Sequence, residues 1–200
     1  ETWRRQLSAW LCFAVLFLLA VAGLLTLASN NSFLSDDWAL VGYRPDSHAR
    51  LLGANWLGES GKGGFYRPLV TVSFSISNAI FGDDPGPYHH TNVLIHALCS
   101  LLVLALYLHL FPQRADGGSA VPAMLASLLF LLLPVHTDNI YWISARTDSI
   151  CALFYLASLV MFTRYLHRPG PGSFALCGAF AWGALLSKEM ALSLPGIALL

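Results

Sequence analysis

The chain has 200 residues, 56% of them hydrophobic and only 11% charged, and its formal net charge is zero. A soluble domain carries about 25% charged residues, so this composition excludes a surface wetted on all sides. A mean hydropathy of +0.60 points to an integral membrane protein. Zero net charge offers no general attraction to nucleic acid or anionic partners.

Taken from the N-terminus, Ala9 to Ala28 is an uncharged run long enough to cross a bilayer. It exceeds the roughly 7–15 apolar residues of a signal-peptide core, and further spans follow, so it reads as an uncleaved first helix. Residues 29–88 read as a long polar loop. Asn92 to Phe111 is a second span, "PQRADGGS" a short connection, and Ala120 to Val135 a rather short third span. "HTDNIYWISARTD" is polar and compatible with a helix. Ser149 to Leu166 is a fourth span and Phe174 to Leu186 a partial one, interrupted by "SKE". Residues 190–200 begin a further segment, which suggests the N-terminal part of a longer protein. The fold class expected is all-α: a polytopic transmembrane helical bundle with a long first extracytoplasmic loop.

Orientation follows from the basic residues. Arg4, Arg5, Arg114, Arg164 and Arg168 fall on the side of the N-terminus, which the positive-inside rule makes cytoplasmic. The long loop and "HTDNIYWISARTD" then lie outside. "NNS" at Asn30 to Ser32 fits an N-glycosylation acceptor there. Cys12, Cys99, Cys151 and Cys177 each stand alone in an apolar block, at no metal or redox spacing, and read as small buried hydrophobes.

Ionisable residues near membrane depth are costly and point to function. On the outer side they gather in clusters. Asp36 and Asp37 follow the first span, with Arg67 later in the same loop. His89, Asn92 and His96 share one helical face at the start of the second span. His136, Asp138, Arg146 and Asp148 crowd the next outer segment, where Asn139, Trp142 and Arg146 share a face if the helix is continuous. Lys188 and Glu189 add a fourth group. Each has a plainer reading: a capped turn for Asp36 and Asp37, an interhelical contact for the histidine–asparagine stripe, a snorkelling cation for Arg67, and structural ion pairs for the others. Asp83 and Asp84, between Gly and Pro, read as turn residues.

Together the clusters match the needs of chemistry on a lipid-linked phosphate. Cations hold the phosphate and stabilise it as it leaves. One carboxylate suffices to take a proton from an acceptor hydroxyl. The residues indicate no cofactor and no metal, although a divalent ion is compatible with them. A transporter or flippase whose path the polar clusters line is the rival reading; its usual short loops and paired repeats are absent. A structural membrane subunit is a second.

The acidic pair, "YRPL", "HHTNVLIH", "PVHTDNIYWISARTD" and "SKE", in that order from Ser35 to Pro195, resemble the glycosyltransferase C superfamily. The likeness is strongest to the transmembrane and tetratricopeptide-repeat-containing O-mannosyltransferases and their bacterial relatives. The resemblance implies a polytopic helical fold and an acidic catalytic base in the first outer loop. It implies a polyprenyl- or dolichyl-phosphate sugar donor, an external protein or glycan acceptor, and transfer with inversion. Carried over, the base is Asp37 or Asp36. Arg67, His89, Asn92, His136, Arg146, Asp148, Lys188 and Glu189 match the family's further polar positions. Asp138 departs from the glutamate more usual there, and no tetratricopeptide repeat lies within the chain. The compartment implied is a bacterial inner membrane, or the endoplasmic reticulum membrane in a eukaryote.

Overall fold

The computed structural model describes residues 2–29, 31–35, 37–41, 65–111 and 120–199. Regular structure among them is helical throughout. Helix α1, Thr2–Ala28, has 27 residues, about 40 Å at 1.5 Å per residue, against about 30 Å of bilayer hydrocarbon. Most of its apolar side chains, Leu11, Leu16, Leu18 and Leu19 among them, face outward. Such a surface calls for apolar surroundings, as a bilayer provides. Two short helices follow on the far side of this span: α2, Asp37–Val41, and α3, Pro68–Phe81.

The long central helix α4, Pro85–Leu110, starts well before the expected Asn92. Its start is built for the purpose. The Asp84 carboxylate caps it by accepting from the Gly86 N–H at 3.1 Å, and Pro85 occupies the first turn, where no N–H is required. Gly82 precedes it at φ 60°, a conformation that favours glycine. The turn expected at Asp83 and Asp84 thus serves as the cap.

Helix α5, Ala120–Leu132, has 13 residues. It stops because Leu133 precedes Pro134 and takes up extended backbone, ψ 128°. A 3-10 turn, Pro134–His136, and α6, Thr137–Tyr141, continue at 47° to α5, and together the pair has the length and composition of a broken span or a re-entrant loop. Trp142 breaks the helix again before a second 3-10 turn, Ile143–Ala145, and α7, Arg146–His167. Helix α8, Pro171–Leu185, leads into a 3-10 turn, Glu189–Ser193, and α9, Leu194–Ala198. Among the described residues three helices are long and apolar enough to cross a membrane, four if the broken pair counts as one span.

The described part of the region expected to be loop from 29 to 88 therefore holds α2, α3 and the first turn of α4. Helix α3 is the less obvious one, because "VTVSFSIS" alternates like a strand and is rich in β-branched residues. Packing decides the matter: Val70, Phe74 and Ser77 fall on one face and are buried.

Helix α4 is the hub. It packs against α1, α5 and α7, and α7 packs against α8. Phe13 and Phe17 of α1 meet Ala97 of α4 and Met124 and Leu131 of α5 in one apolar cluster. A reciprocal serine clasp joins α4 to α5. Ser100 Oγ donates to the Ser127 carbonyl at 2.6 Å, and Ser127 Oγ donates to the Ser100 carbonyl at 2.9 Å. Where lipid offers no hydrogen bonds, such a clasp sets the helix register. All four cysteines are free thiols, and Cys99 and Cys151 are buried.

Candidate functional site

The polar residues collect at the end of the bundle where α1 finishes and α4 and α7 begin. At its centre lies Arg146, fully buried at the start of α7. Its guanidinium donates three ways: Nε to Asn92 Oδ1 at 2.8 Å, Nη1 to Ser77 Oγ at 2.8 Å, and Nη2 to the Tyr88 carbonyl at 3.0 Å. The rings of Phe74 and Tyr88 lie 4.5 and 5.5 Å from its charged carbon. Asn92 is tied in turn to the broken segment, donating to the carbonyls of Trp142 and Ile143. One side chain thus pins α3, α4 and the Trp142 break to α7.

Asp37 is buried beside this network. Its Oδ1 accepts from the Ser144 N–H at 2.8 Å and the Ser144 hydroxyl at 2.6 Å, and its Oδ2 accepts from the Leu34 N–H at 2.9 Å. It also attracts Arg146 electrostatically. A buried cation requires a compensating anion, and Asp37 supplies one through the Ser144 turn. His89, also fully buried, has Nδ1 3.3 Å from the Ile140 carbonyl, so Nδ1 carries the proton. Its Nε2 has no partner among the described residues.

A cavity of about 360 Å³ opens on the other side of α7, bounded by α4, α5, α7 and the segment after α8. His96, Phe130 and His136 form one wall, with ring centroids 4.5 to 5.2 Å apart. Cys99 of α4 and Ser149 and Tyr155 of α7 also line it, together with Asp148 and Lys188. The last two form an ion pair, Lys188 Nζ donating to Asp148 Oδ1. The next residue in the chain makes a second pair. Glu189 accepts from Arg67 Nη2 at 2.8 and 3.1 Å and from Arg67 Nε at 3.4 Å. Its own backbone N–H, and then the Arg67 guanidinium, hold the Glu189 carboxyl below the usual carboxylate range. A backbone bond from the Leu69 N–H to the Leu186 carbonyl ties α3 to this segment.

The residues singled out in the sequence therefore divide into groups. His136, Asp148 and Lys188 line the cavity, and Arg67 and Glu189 pair beside it. Asp37, His89, Asn92 and Arg146 are buried in the framework and are not among the lining residues. Asp138 is exposed on α6. Asp36 lies outside the described residues, as do Asn30 and Arg114. The helical face expected to unite Asn139, Trp142 and Arg146 does not exist, because the chain breaks at Trp142; Asn139 lines the cavity and Arg146 is buried behind it. No group of three His, Cys, Asp or Glu side chains among the described residues could hold a metal ion. Ser144, both of whose donors serve Asp37, was missed by the sequence reading. A lone hydroxyl residue between apolar neighbours was its only signal.

Spanning helices that gather two cation–carboxylate pairs and a cavity at one end define a polytopic membrane protein with a polar site at a single membrane face. No family model matches the chain, and no solved structure matches it. Curated proteins do. The chain is 33% identical over 174 residues to "Protein O-mannosyl-transferase tmtc2" of Xenopus laevis, which covers 84% of the chain and 18% of that protein. It is 30% identical over 193 residues to "Protein O-mannosyl-transferase Tmtc1" of Drosophila melanogaster, 91% of the chain and 21% of that protein. "Protein O-mannosyl-transferase TMTC4" of Homo sapiens is 31% identical over 147 residues, 66% of the chain and 20% of that protein. The chain belongs to the family of these proteins, the one its motif order resembles. It spans about a fifth of the length of the relatives it matches.

Proposed function

We propose that the chain is part of a membrane glycosyltransferase. In this reading it moves a mannosyl or other hexosyl group from a polyprenyl- or dolichyl-phosphate donor to a hydroxyl of an external protein or glycan, with inversion. The observation that carries the reading is that two cations far apart in sequence come together beside the cavity: Lys188, which lines it, and Arg67, which pairs with the next residue, Glu189. The names of the relatives support it.

In the reaction the acceptor oxygen attacks the anomeric carbon as the bond to the phosphate oxygen breaks. The electron pair leaves with the lipid phosphate, whose charge Arg67 and Lys188 stabilise. The acceptor's proton passes to a carboxylate. Asp37 is a poor candidate for that step, since it is buried and accepts from Leu34 and Ser144. We assign the proton to its neighbour Asp36 and give Asp37 the role of anchor. The animal relatives favour the endoplasmic reticulum membrane over a bacterial inner membrane.

The test uses the full-length protein in lipid nanodiscs with a radiolabelled dolichyl-phosphate sugar and a mixture of acceptor peptides. Asp36→Asn is expected to slow transfer about 10²–10⁴-fold, as general-base loss does, at an unchanged thermal midpoint. Asp37→Asn is expected to lower the midpoint itself. Parental transfer by Asp36→Asn would remove it as the base, and a full-length protein inert toward every lipid-phosphate sugar would end the proposal.

A further inference from the structure

Both cations beside the cavity already hold an anion. In each pair the cation is the buried partner and the carboxylate the exposed one. The Arg67 side chain is 8% exposed and that of Glu189 54%; Lys188 is 19% exposed and Asp148 46%. The asymmetry has a physical meaning. Two cations this far from water need a counter-charge whenever the site is empty. A half-exposed carboxylate supplies it and can still turn back into water at low cost, because an ion pair open to solvent is weak. The cations, packed in place, cannot follow.

The contacts are of the kind a phosphate would make. Arg67 Nη2 reaches both Glu189 oxygens, at 2.8 and 3.1 Å, and a phosphate offers a guanidinium the same two-oxygen edge. Lys188 meets a single oxygen of Asp148 as a point charge. We infer that Asp148 and Glu189 are resident counter-anions of a lipid-phosphate site, one that meets the phosphodiester of the donor and the monoester it leaves as: they occupy Arg67 and Lys188 while the site is empty and are displaced when a lipid phosphate arrives. The inference rests on the proposed reading that these two cations hold the donor's phosphate. It assigns the two carboxylates the opposite role to a sugar-binding one, since they compete with the ligand.

The sign of a mutational effect separates the two roles. Removing a competing carboxylate tightens binding of an anion; removing a carboxylate that holds the sugar leaves binding of a sugar-free phosphate unchanged. The experiment measures equilibrium binding of farnesyl monophosphate, with farnesol as the uncharged control, to the full-length protein in zwitterionic nanodiscs. Asp148→Asn and Glu189→Gln are each expected to bind farnesyl monophosphate about two- to fivefold tighter, the range of a partly exposed ion pair. The gain should shrink as salt is raised, and farnesol binding should not change. Lys188→Gln is expected to weaken the phosphate. Should Asp148→Asn fail to fold, Glu189→Gln, at the more exposed position, decides alone. Parental binding with no gain, or a loss, in the folded carboxylate variants overturns the inference and leaves the phosphate reading intact. Failure of the parent and of both variants to bind farnesyl monophosphate overturns the phosphate reading, and the inference with it.

Discussion

At the scale of single residues, Arg146 and Arg67 do different work. Arg146 spends its guanidinium on the scaffold, reaching Asn92, Ser77 and the Tyr88 carbonyl. A lysine ammonium is a point charge and cannot reproduce that planar fork. Arg146→Met should cost about 3–5 kcal/mol, the usual penalty for breaking a buried charge network, and Arg146→Lys should also lower the thermal midpoint in detergent. A parental midpoint in Arg146→Lys would refute the need for the fork. Arg67 is instead tied to Glu189, whose folded pKa is lowered. A lowered carboxylate pKa means that the contribution is fully present above the ordinary glutamate value and is lost as pH falls through the folded one. The midpoints of the parent and Glu189→Gln should therefore differ by a small, constant amount near neutral pH and converge only below about pH 4.3, the ordinary glutamate value. Convergence already at higher pH would contradict the assignment. The sequence picked out these residue types because charges stand out in an apolar chain. It did not separate Arg146 from Lys188, since burial depends on where Trp142 breaks the helix and on Ser144 turning toward Asp37.

At the scale of elements, the boundaries follow proline and capping chemistry. Pro68, Pro85 and Pro171 open helices, and Pro134 ends α5 one residue early. The apolar runs of α1, α4 and α7 were legible because each is long enough to cross a bilayer. Helix α3 was not, because its alternating β-branched sequence lacks a helical signature and takes its conformation from the partners it covers. The contact between α7 and α8 turns on one glycine. A Cβ at Gly183 would meet Phe154 Cδ1 at 2.8 Å and Cγ at 2.9 Å, close to the root of that ring. Gly183→Ala should therefore part the helices and destabilise the protein by about 1–3 kcal/mol, the cost of overpacking. Gly178→Ala, with nothing within 4 Å, is the control and should hold or raise the midpoint. Equal midpoints for the two variants would show that the helices yield freely at position 183.

At the scale of the whole molecule, sidedness organises the site. Alternating spans place Asp83, before α4, on one side of the membrane and Arg168, after α7, on the other. Both are exposed. On a cysteine-free background in sealed microsomes, a membrane-impermeant maleimide should label Arg168→Cys at once and Asp83→Cys only after permeabilisation. The reverse pattern would put the cavity on the cytoplasmic face and remove the grounds for an external acceptor. The arginine distribution is what predicts this sidedness. The sequence could not carry the division of the outer end into a framework and a cavity, which arises from side chains brought together across more than a hundred residues, as Asp37 and Ser144 are.

The serine clasp between α4 and α5 bears on how that cavity can change size. Sliding α4 along α5 breaks both of its bonds at once, together with the His96–Leu131 contact at 3.2 Å. The aromatic wall of His96, Phe130 and His136 is consequently a fixed jaw. The facing wall, residues 186–193, is fastened to α7 by the Lys188 side chain, by a hydrogen bond between the Tyr155 and Ser193 hydroxyls at 3.1 Å, by a long contact from the Cys151 thiol to the Lys188 carbonyl, and by packing of Ala191 on Cys151. The two walls of the cavity are therefore held in different ways, one by a reciprocal clasp between two helices and the other by separate side-chain contacts to a single helix.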